Sequence, residues 1–283
     1  MRLSGAARKA GVMGWPVAHS RSPALHNFWL AEYRIDGAYL PLPVRPENLE
    51  AALRALPILG FAGCNLTIPH KEAALALVDR CDARARRIGA VNTVVVAADG
   101  TLSGSNTDAF GFMENLRSSL GFLDLVTGPA VVLGAGGAAR AVLAALQDEG
   151  VPEIRLLNRS PARAETLAAE FGGNITVRPW EERGEALAGA ALLVNTTSLG
   201  MTGAEPLELA LHRLPPEAVV NDIVYVPLET PLLAEARRRG NRVVDGLGML
   251  LHQARPGFAA WFEAEPQVTP ALRAAILETF VSR

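Results

Sequence analysis

Lysine is rare in this sequence, and one lysine could transfer protons. Of the 27 basic residues only Lys9 and Lys71 are lysine, and Lys9 lies close to the N-terminus. Arginine can replace lysine as a surface charge but not as a proton donor, because the guanidinium group stays protonated. Lys71 is therefore a candidate general acid, although chance could also leave one lysine. Asp108, next to a predicted helix, is the best candidate for its partner, and it equally suits a helix-stabilising carboxylate.

A glycine-rich turn near the middle of the chain has the spacing of a dinucleotide-binding loop. The apolar run Val131–Leu133 leads into Gly134–Ala138, and an alanine-rich helical pattern continues through Gln147. Such glycines permit the turn and the close approach of a pyrophosphate, while the helix N-terminus presents N–H groups to negative charge. Ala139 takes the third glycine position, where a small residue lets helix and strand pack closely. The pattern favours nucleotide binding over a purely structural turn.

The next predicted strand, Glu153–Leu157, ends in residues that discriminate between NAD and NADP. Asn158, Arg159 and Ser160 follow it, and Arg163 lies at the start of the next predicted helix. A carboxylate at this position binds the ribose 2′-hydroxyl of NAD, whereas arginine suits the 2′-phosphate of NADP. No acid stands here, so the sequence predicts NADP.

The segment before the glycine loop contains polar residues that could bind a small molecule. Ser22 before Pro23 is typical of a helix start with serine as the N-cap, and this local pattern favours capping over a carboxylate site formed with Ser20. Asn65 and Thr67 are two apart in a predicted strand, residues 60–68, so they should face the same way. Asn92 precedes an apolar strand, where its amide could bind substrate or hold the turn.

Lys71 is predicted to lie in the first turn of a helix that begins at Pro69 and His70. A lysine there opposes the helix dipole, which favours a functional over a structural role. His70 is expected to support the turn rather than to act in catalysis. The basic run Arg84–Arg87 is predicted to be an exposed turn.

Three more apolar strands are predicted after the glycine loop, at residues 191–194, 218–220 and 242–244. Each precedes a polar loop, and the loops after the first and third strands contain glycine. Ligands of open parallel sheets sit at the carboxyl ends of the strands, so these loops are predicted to line the nicotinamide half of a cofactor site.

The closing segments, residues 246–263 and 269–281, have helical patterns, and Pro256 with Gly257 is predicted to kink or interrupt the first.

The length of 283 residues indicates about two domains. A net charge of −2 without a basic block argues against a nucleic-acid partner. No apolar run approaches the length of a membrane span, and residues 1–13 contain no apolar segment long enough for a signal peptide. Cys64 and Cys81 lack metal or redox spacing. We therefore expect no bound metal, a cytoplasmic location and reduced thiols.

In their order along the chain, the motifs resemble shikimate dehydrogenase nearly end to end. Each is weak alone, but the series is highly specific. The motifs are Ser20–Pro23, Asn65–Lys71, Gly89–Thr93, Asn106–Gly111, Gly134–Ala138, Asn158–Arg159, Asn195–Met201, Asp222–Tyr225 and Gly246–Gln253.

The resemblance implies an α/β fold with two domains and an open cleft between them. The N-terminal α/β substrate domain would comprise residues 1–105 with 246–283. The inserted Rossmann-type NADP-binding domain would comprise residues 106–245. The protein would be a monomer or a homodimer.

The resemblance also implies the site residues. Catalysis would fall to Lys71 and Asp108. The substrate, shikimate or 3-dehydroshikimate, would contact Ser20, Ser22, Asn65, Thr67, Lys71, Asn92, Asp108, Tyr225 and Gln253. NADP would contact Gly134, Ala135, Gly136, Gly137, Ala138, Asn158, Arg159, Ser160, Arg163, Thr196, Thr197, Ser198, Met201, Ile223, Gly246 and Met249. On this basis Ser20 and Ser22 would hold the substrate carboxylate, which reverses the local preference for capping.

The implied activity is the NADPH-dependent, reversible reduction of 3-dehydroshikimate to shikimate in aromatic amino-acid biosynthesis. Lys71 would donate the proton that the C3 oxygen needs as hydride arrives, alone or together with Asp108 and water. A quinate/shikimate dehydrogenase that uses NAD is the nearest alternative, but it favours an acid near position 158. A non-catalytic NADPH-binding regulator is an alternative from another class. One departure from the family pattern lies at Ala83, where an acidic residue is common.

Overall fold

The computed structural model describes residues 3–121 and 124–281. The chain forms two compact units, one of residues 1–107 with 251–283 and one of residues 108–250. The length indicates about two domains, and the resemblance implies boundaries after residues 105 and 245. Each unit has its own sheet and its own core.

The first unit contains a six-stranded sheet among its described residues, in the order β2-β1-β3-β5-β6-β4. Its strands and helices up to residue 107 are β1 (Arg8–Gly14), α1 (Ser22–Glu32), β2 (Gly37–Pro43), α2 (Leu49–Ile58), β3 (Phe61–Leu66), β4 (Arg80–Cys81), α3 (Ala83–Ile88), β5 (Thr93–Val96) and β6 (Leu102–Ser105). Strands β1, β2 and β3 are parallel, whereas β5 is antiparallel to β3 and to β6. The ends of β1, β3 and β6 therefore meet the start of β5 at one edge of the sheet.

The second unit contains a six-stranded sheet within the part of the chain that the structure covers, and all its pairings are parallel. Its elements are α4 (Asp108–Leu120), β7 (Ala130–Leu133), α5 (Gly137–Asp148), β8 (Ile154–Leu157), α6 (Pro161–Phe171), β9 (Ile175–Arg178), β10 (Leu192–Asn195), β11 (Val219–Asp222), α7 (Pro231–Arg238) and β12 (Arg242–Val244). The sheet order is β12-β11-β10-β7-β8-β9, which is the doubly wound order of dinucleotide-binding folds. In such sheets the ligand crevice lies where the strand order reverses, here between β7 and β10.

Two helices close the chain, α8 (Leu247–Phe262) and α9 (Pro270–Val281). The division between the units falls within α8, after Leu250. Pro256 lies inside α8 without ending it, so an interruption is wrong, while the kink stays a prediction. The helix continues into the core of the first unit, where Phe258 and Trp261 are buried and the Trp261 indole donates to the Val94 carbonyl over 2.9 Å. This packing compensates for the hydrogen bond that a proline removes.

Several local predictions from the sequence are wrong. Lys71 lies in a turn that precedes a short 3-10 helix, Ala73–Ala76, and not in an α-helix. The helix-dipole argument for Lys71 therefore fails. The run Arg84–Arg87 belongs to α3, a helix capped by the Asp82 side chain, which accepts from the Ala85 N–H over 2.6 Å.

The start of α1 also differs from the prediction. Arg21 is the N-cap, and Ser22 is the first helical residue rather than the cap. Strand β3 ends at Leu66, so Thr67 lies just beyond it. No helix among the described residues is long and apolar enough to cross a membrane. Over the same residues, no group of His, Cys, Asp and Glu side chains is arranged to hold a metal ion.

Candidate functional site: a polar sheet edge and a glycine loop

A buried tyrosine connects two predicted substrate-binding residues in the first unit. The Tyr39 hydroxyl donates to Asn65 Oδ1 over 2.6 Å. Burial raises the pKa of Tyr39 far above its usual range, so the hydroxyl stays protonated, and its oxygen accepts a hydrogen bond from Ser22. His26 stacks on the Tyr39 ring at a centroid distance of 4.0 Å. Burial lowers the pKa of His26 to about 3, so this ring is a neutral packing partner.

Asn65 and Asn92 form the polar edge of the first sheet. The Asn65 amide group donates to the Asn92 carbonyl over 3.0 Å and to Thr93 Oγ1 over 3.2 Å. Asn92 Oδ1 accepts from the Thr107 N–H over 2.9 Å, and Asn92 Nδ2 donates to Thr107 Oγ1 over 3.1 Å. Both asparagines are at least 95% buried, so their amides hold fixed orientations. These contacts give Asn92 the structural role of holding the turn, one of the two roles that the sequence offered.

Long-range contacts position the turn that carries Lys71. The Val91 N–H donates to the Lys71 carbonyl over 2.8 Å, next to Asn92. The His70 ring is buried and bonds to the Val44 carbonyl through Nε2 at 2.8 Å, which agrees with the predicted supporting role. The turn also approaches β1, because a side chain at Gly14 would lie 2.5 Å from the Thr67 methyl group. Lys71 is half-buried on this supported turn.

The remaining predicted substrate residues lie on separate elements. Ser20 is half-buried ahead of α1, and its Oγ accepts from the Ser22 N–H over 3.3 Å. Asp108 begins α4 and is buried, directly after Thr107. Gln253 lies on α8 within the first unit, and Tyr225 follows β11 in the second, each half-buried. The local bonds thus bring Ser22, Asn65, Lys71 and Asn92 into one network of the first unit.

The glycine loop of the second unit has the form expected for binding a pyrophosphate. Gly134 has a φ of +104°, and a side chain there would lie 2.7 Å from Thr196 Oγ1. A side chain at Gly136 or Gly137 would meet nothing within 4 Å, so the space beside the start of α5 is open. Gly136 is the N-cap of α5 and supplies no capping side chain, while Ala139 is fully buried. Glycine therefore keeps this helix end accessible to a phosphate, and the loop fits a dinucleotide.

One asparagine connects the glycine loop to the turn after β8. Asn158 Oδ1 accepts from the Ala135 N–H over 3.2 Å, and Asn158 Nδ2 donates to the Ser160 carbonyl over 2.9 Å. Arg159, between these contacts, is exposed and forms an ion pair with Glu205 over 3.1 Å. Arg163 and Ser160 are exposed beside it. Two cationic side chains thus border the turn where a 2′-phosphate would bind.

A buried network beyond β10 and β11 fixes the loops that follow these strands. Asp222 accepts hydrogen bonds from Asn195 Nδ2 over 3.0 Å, from the Val224 N–H over 3.0 Å and from Thr230 Oγ1 over 2.7 Å. Burial raises the pKa of the Asp222 carboxyl to about 6, and these hydrogen bonds oppose the shift. Thr230 also caps α7. Asp222 was recognised only as part of a motif, because its anchoring role depends on contacts between strands.

The predicted cofactor residues after β10 divide into two groups. The Thr196 hydroxyl donates to the Leu133 carbonyl over 2.7 Å, and the Thr197 hydroxyl donates to Asn195 Oδ1 over 2.7 Å. Both hydroxyls therefore fix the loop. Ser198 and Met201 are exposed, and Met201 retains 44% of its accessible surface. In this second pair both residues are exposed to solvent.

Close backbone packing surrounds the start of α8. A side chain at Gly246 would lie 2.1 Å from the Ile223 carbonyl oxygen, so only glycine fits there. Asn115 of α4 donates to the Asp245 carbonyl over 2.7 Å. Ile223 and Met249 remain half-buried beside this packing. Asn115 was not predicted, since a polar residue on an amphipathic helix gives no local sign of such a contact.

The chain is similar to known proteins over nearly its whole length. The family model described as the shikimate dehydrogenase substrate binding domain matches residues 12–94, and that described as shikimate / quinate 5-dehydrogenase matches residues 117–204. The shikimate dehydrogenase (NADP(+)) of Paramagnetospirillum magneticum is 66% identical over 97% of this chain and 100% of its own.

Solved structures give the same result. Shikimate 5-dehydrogenase from Thermus thermophilus in complex with NADP(H) and shikimate is 42% identical, covers 96% of this chain and 99% of its own, and has a TM-score of 0.84. Quinate dehydrogenase from Corynebacterium glutamicum in complex with NAD is 31% identical over 96% of this chain and 99% of its own, with a TM-score of 0.89. With such similarity over nearly its whole length, the chain belongs to the shikimate dehydrogenase family.

Proposed function

We propose that this chain catalyses the reversible, NADPH-dependent reduction of 3-dehydroshikimate to shikimate in aromatic amino-acid biosynthesis. The observation that carries the proposal is the supported turn of Lys71. Its backbone is bonded to Val91, beside the buried Asn92–Thr107 pair that leads directly into Asp108. A lysine held by such a framework is suited to proton transfer, whereas a surface lysine needs no framework.

Proton transfer is the work of Lys71 in this reaction. Bound NADPH supplies the hydride that reduces the C3 carbonyl carbon. The ammonium group of Lys71 donates a proton to the C3 oxygen as negative charge develops there, and in the reverse direction the neutral amine accepts it. Asp108 is the second catalytic residue of the proposal, and a water can share the proton transfer.

The other substrate contacts follow from the chemistry of each side chain. The hydroxyls of Ser20 and Ser22 donate to the substrate carboxylate at the start of α1, for which the Ser22 hydroxyl turns away from the Tyr39 oxygen. The ring hydroxyls of the substrate bind the side-chain amide and hydroxyl groups of Asn65, Thr67, Asn92 and Gln253. Tyr225 lies beside these hydroxyls.

The second unit holds the cofactor. Residues Gly134–Ala138 bind the pyrophosphate through backbone N–H groups at the start of α5. Arg159 and Arg163 bind the 2′-phosphate as guanidinium donors, with Asn158 and Ser160 shaping the turn. The loops after β10, β11 and β12 contact the nicotinamide half through Thr196, Thr197, Ser198, Met201, Ile223, Gly246 and Met249.

The test is to follow NADPH absorbance with shikimate and quinate as substrates and with NADP and NAD as cofactors. We expect turnover with shikimate and NADP to exceed that of the other three combinations. Preference for quinate with NAD would instead support the second candidate, a quinate/shikimate dehydrogenase that uses NAD. The similarity to a quinate dehydrogenase favours testing this candidate. Tight cofactor binding without any turnover would point to a non-catalytic NADPH-binding regulator.

We also propose that the protein acts in the cytoplasm, as a monomer or a homodimer. Cys64 and Cys81 are both free, and burial raises the pKa of the Cys64 thiol well above its ordinary value, so that thiol stays protonated. Light scattering after size-exclusion chromatography distinguishes the two oligomeric states.

A further inference from the structure

Arg159, the residue assigned to the 2′-phosphate, already has an anionic partner. Its Nη1 lies 3.1 Å from Glu205 Oε2, and the two side chains keep 63% and 77% of their accessible surface. They are 46 residues apart in sequence. Glu205 therefore places a carboxylate where the phosphate of NADP would meet the guanidinium.

The backbone around Glu205 is fixed, so this carboxylate is not placed by a loose loop. The Gly200 N–H donates to the Glu205 carbonyl over 2.8 Å, and the Thr202 N–H donates to the Val226 carbonyl over 2.9 Å. Gly200 has a φ of +87°, which favours glycine at the start of this closed loop. The loop presents Glu205 to Arg159 from the opposite side of a groove.

This groove has a volume of about 370 Å³ and is open to a ligand. Arg159 and Glu205 line it with Trp180, Arg183, Leu199, Pro206 and Glu208. Arg183 is held by the Glu208 and Trp180 carbonyls at 2.8 and 3.1 Å, so it is anchored to the groove wall. Arg159 is bonded instead to the exposed Glu205 side chain, which can move away. A phosphate can therefore replace this carboxylate as the partner of the Arg159 guanidinium.

We infer that Glu205 is a specificity-determining residue that lowers the affinity for NADP by competing with the 2′-phosphate for Arg159. This inference rests on the proposed role of Arg159. A phosphate dianion must displace the Glu205 carboxylate from Arg159 before it can bind the guanidinium. NAD carries only a hydroxyl at that position and does not need to break the ion pair. Glu205 thus reduces the ratio of the NADP affinity to the NAD affinity.

The test is to measure the dissociation constants of NADP and NAD by isothermal titration calorimetry for wild type and Glu205→Gln. Exposed ion pairs are weak, so we expect Glu205→Gln to bind NADP about two- to fivefold more tightly and NAD within about twofold of wild type. Glu208→Gln removes a carboxylate from the same groove and is the matched control, with both constants unchanged. Raising the salt concentration should shrink the gain in Glu205→Gln.

Arg159→Ala and the double variant Arg159→Ala/Glu205→Gln complete the cycle. The gain from Glu205→Gln should vanish when Arg159 is absent. Equal changes for NADP and NAD, no change for either, or a gain that persists without Arg159 would overturn the inference. If Arg159→Ala alone leaves the NADP preference intact, the proposed 2′-phosphate site is wrong instead, and the two failures are distinguished.

Discussion

The two units use their polar side chains in different ways. In the first, Asn65 and Asn92 are buried, and their amides bond to protein groups that fix their orientation. In the second, Arg159, Ser198 and Met201 are exposed, and the buried pair of Asn195 and Asp222 holds the loops. A small substrate calls for few groups in fixed positions, whereas a long dinucleotide can gain affinity from many replaceable contacts. Substitutions in the two units should therefore have different signatures.

The largest effect is expected at Lys71. Lys71→Ala should lower turnover by about 10² or more, the usual scale for losing a general acid, with little change in shikimate affinity. Lys71→Arg should be nearly as damaging, because it keeps the charge but cannot release the proton. Steady-state kinetics of shikimate oxidation measure both variants. Near wild-type turnover in Lys71→Ala would refute the assigned chemistry and would make the fixed framework of the first unit merely structural.

The buried carboxylate of the second unit should affect stability and its dependence on pH. Burial raises the pKa of Asp222 from 3.8 to about 6 in the folded protein. Its stabilising contribution is therefore complete below pH 3.8 and is lost as the pH rises through about 6. Relative to Asp222→Asn, the unfolding free energy of the wild type should fall by about 2–3 kcal/mol between pH 4 and pH 7.

Urea denaturation of both proteins at the two pH values measures this difference, and other titrating groups cancel in the comparison. A difference that stays constant or rises with pH would mean that Asp222 is not buried as described. Such a result would weaken the contrast between a buried loop anchor and the exposed residues that we propose as cofactor contacts.

A change in cofactor preference is the expected signature of the exposed residues. Arg159→Ala should weaken NADP binding about tenfold or more, because charge-assisted hydrogen bonds to the 2′-phosphate are lost, and NAD binding by less than about twofold. Fluorescence or calorimetric titration with each cofactor measures the change. Arg213→Ala removes an arginine paired with Glu185 in the same unit and serves as the control. Equal losses for both cofactors would contradict the 2′-phosphate assignment.

The smallest effect is expected for Tyr39→Phe, which tests whether Tyr39 fixes the orientation of Asn65 and Ser22. Tyr39→Phe removes the hydroxyl that donates to Asn65 and accepts from Ser22. An unsatisfied buried acceptor costs about 1–3 kcal/mol, and part of that cost should appear as a KM for shikimate raised about three- to tenfold. NADP affinity should not change.

Tyr33→Phe is the matched control, since the Tyr33 hydroxyl accepts only from the Gln267 N–H among the bonds described for it. If Tyr39→Phe loses stability to urea while its KM stays at the wild-type value, Tyr39 supports the fold without positioning Asn65.

Local sequence patterns predicted the second unit well. Strands β7, β8, β10, β11 and β12 begin and end within one or two residues of the predicted positions, because apolar runs in a parallel sheet are continuous and end in polar loops. The open helix end behind Gly136 was also predicted, since glycine spacing determines backbone geometry directly.

The predictions that were wrong or absent have a common physical cause, which is contacts between segments far apart in sequence. Lys71 was placed in a helix because Pro69 looks like a helix start, but bonds to Val91 and from His70 to Val44 hold the chain in a turn. Pro256 does not interrupt α8 because the buried aromatic residues beyond it continue the helix. The Arg159–Glu205 pair joins residues far apart in sequence, so no local pattern could indicate it.

The double attachment of Asn158 limits how this enzyme could evolve a different cofactor preference. An aspartate at position 158 would supply the carboxylate typical of NAD enzymes. It would keep the acceptor for the Ala135 N–H but would turn a carboxylate oxygen toward the Ser160 carbonyl, where Asn158 now donates a hydrogen bond. The single mutation that best suits NAD therefore damages the turn it modifies. Exchange at positions 159 and 205, whose side chains are exposed, is the more accessible evolutionary route.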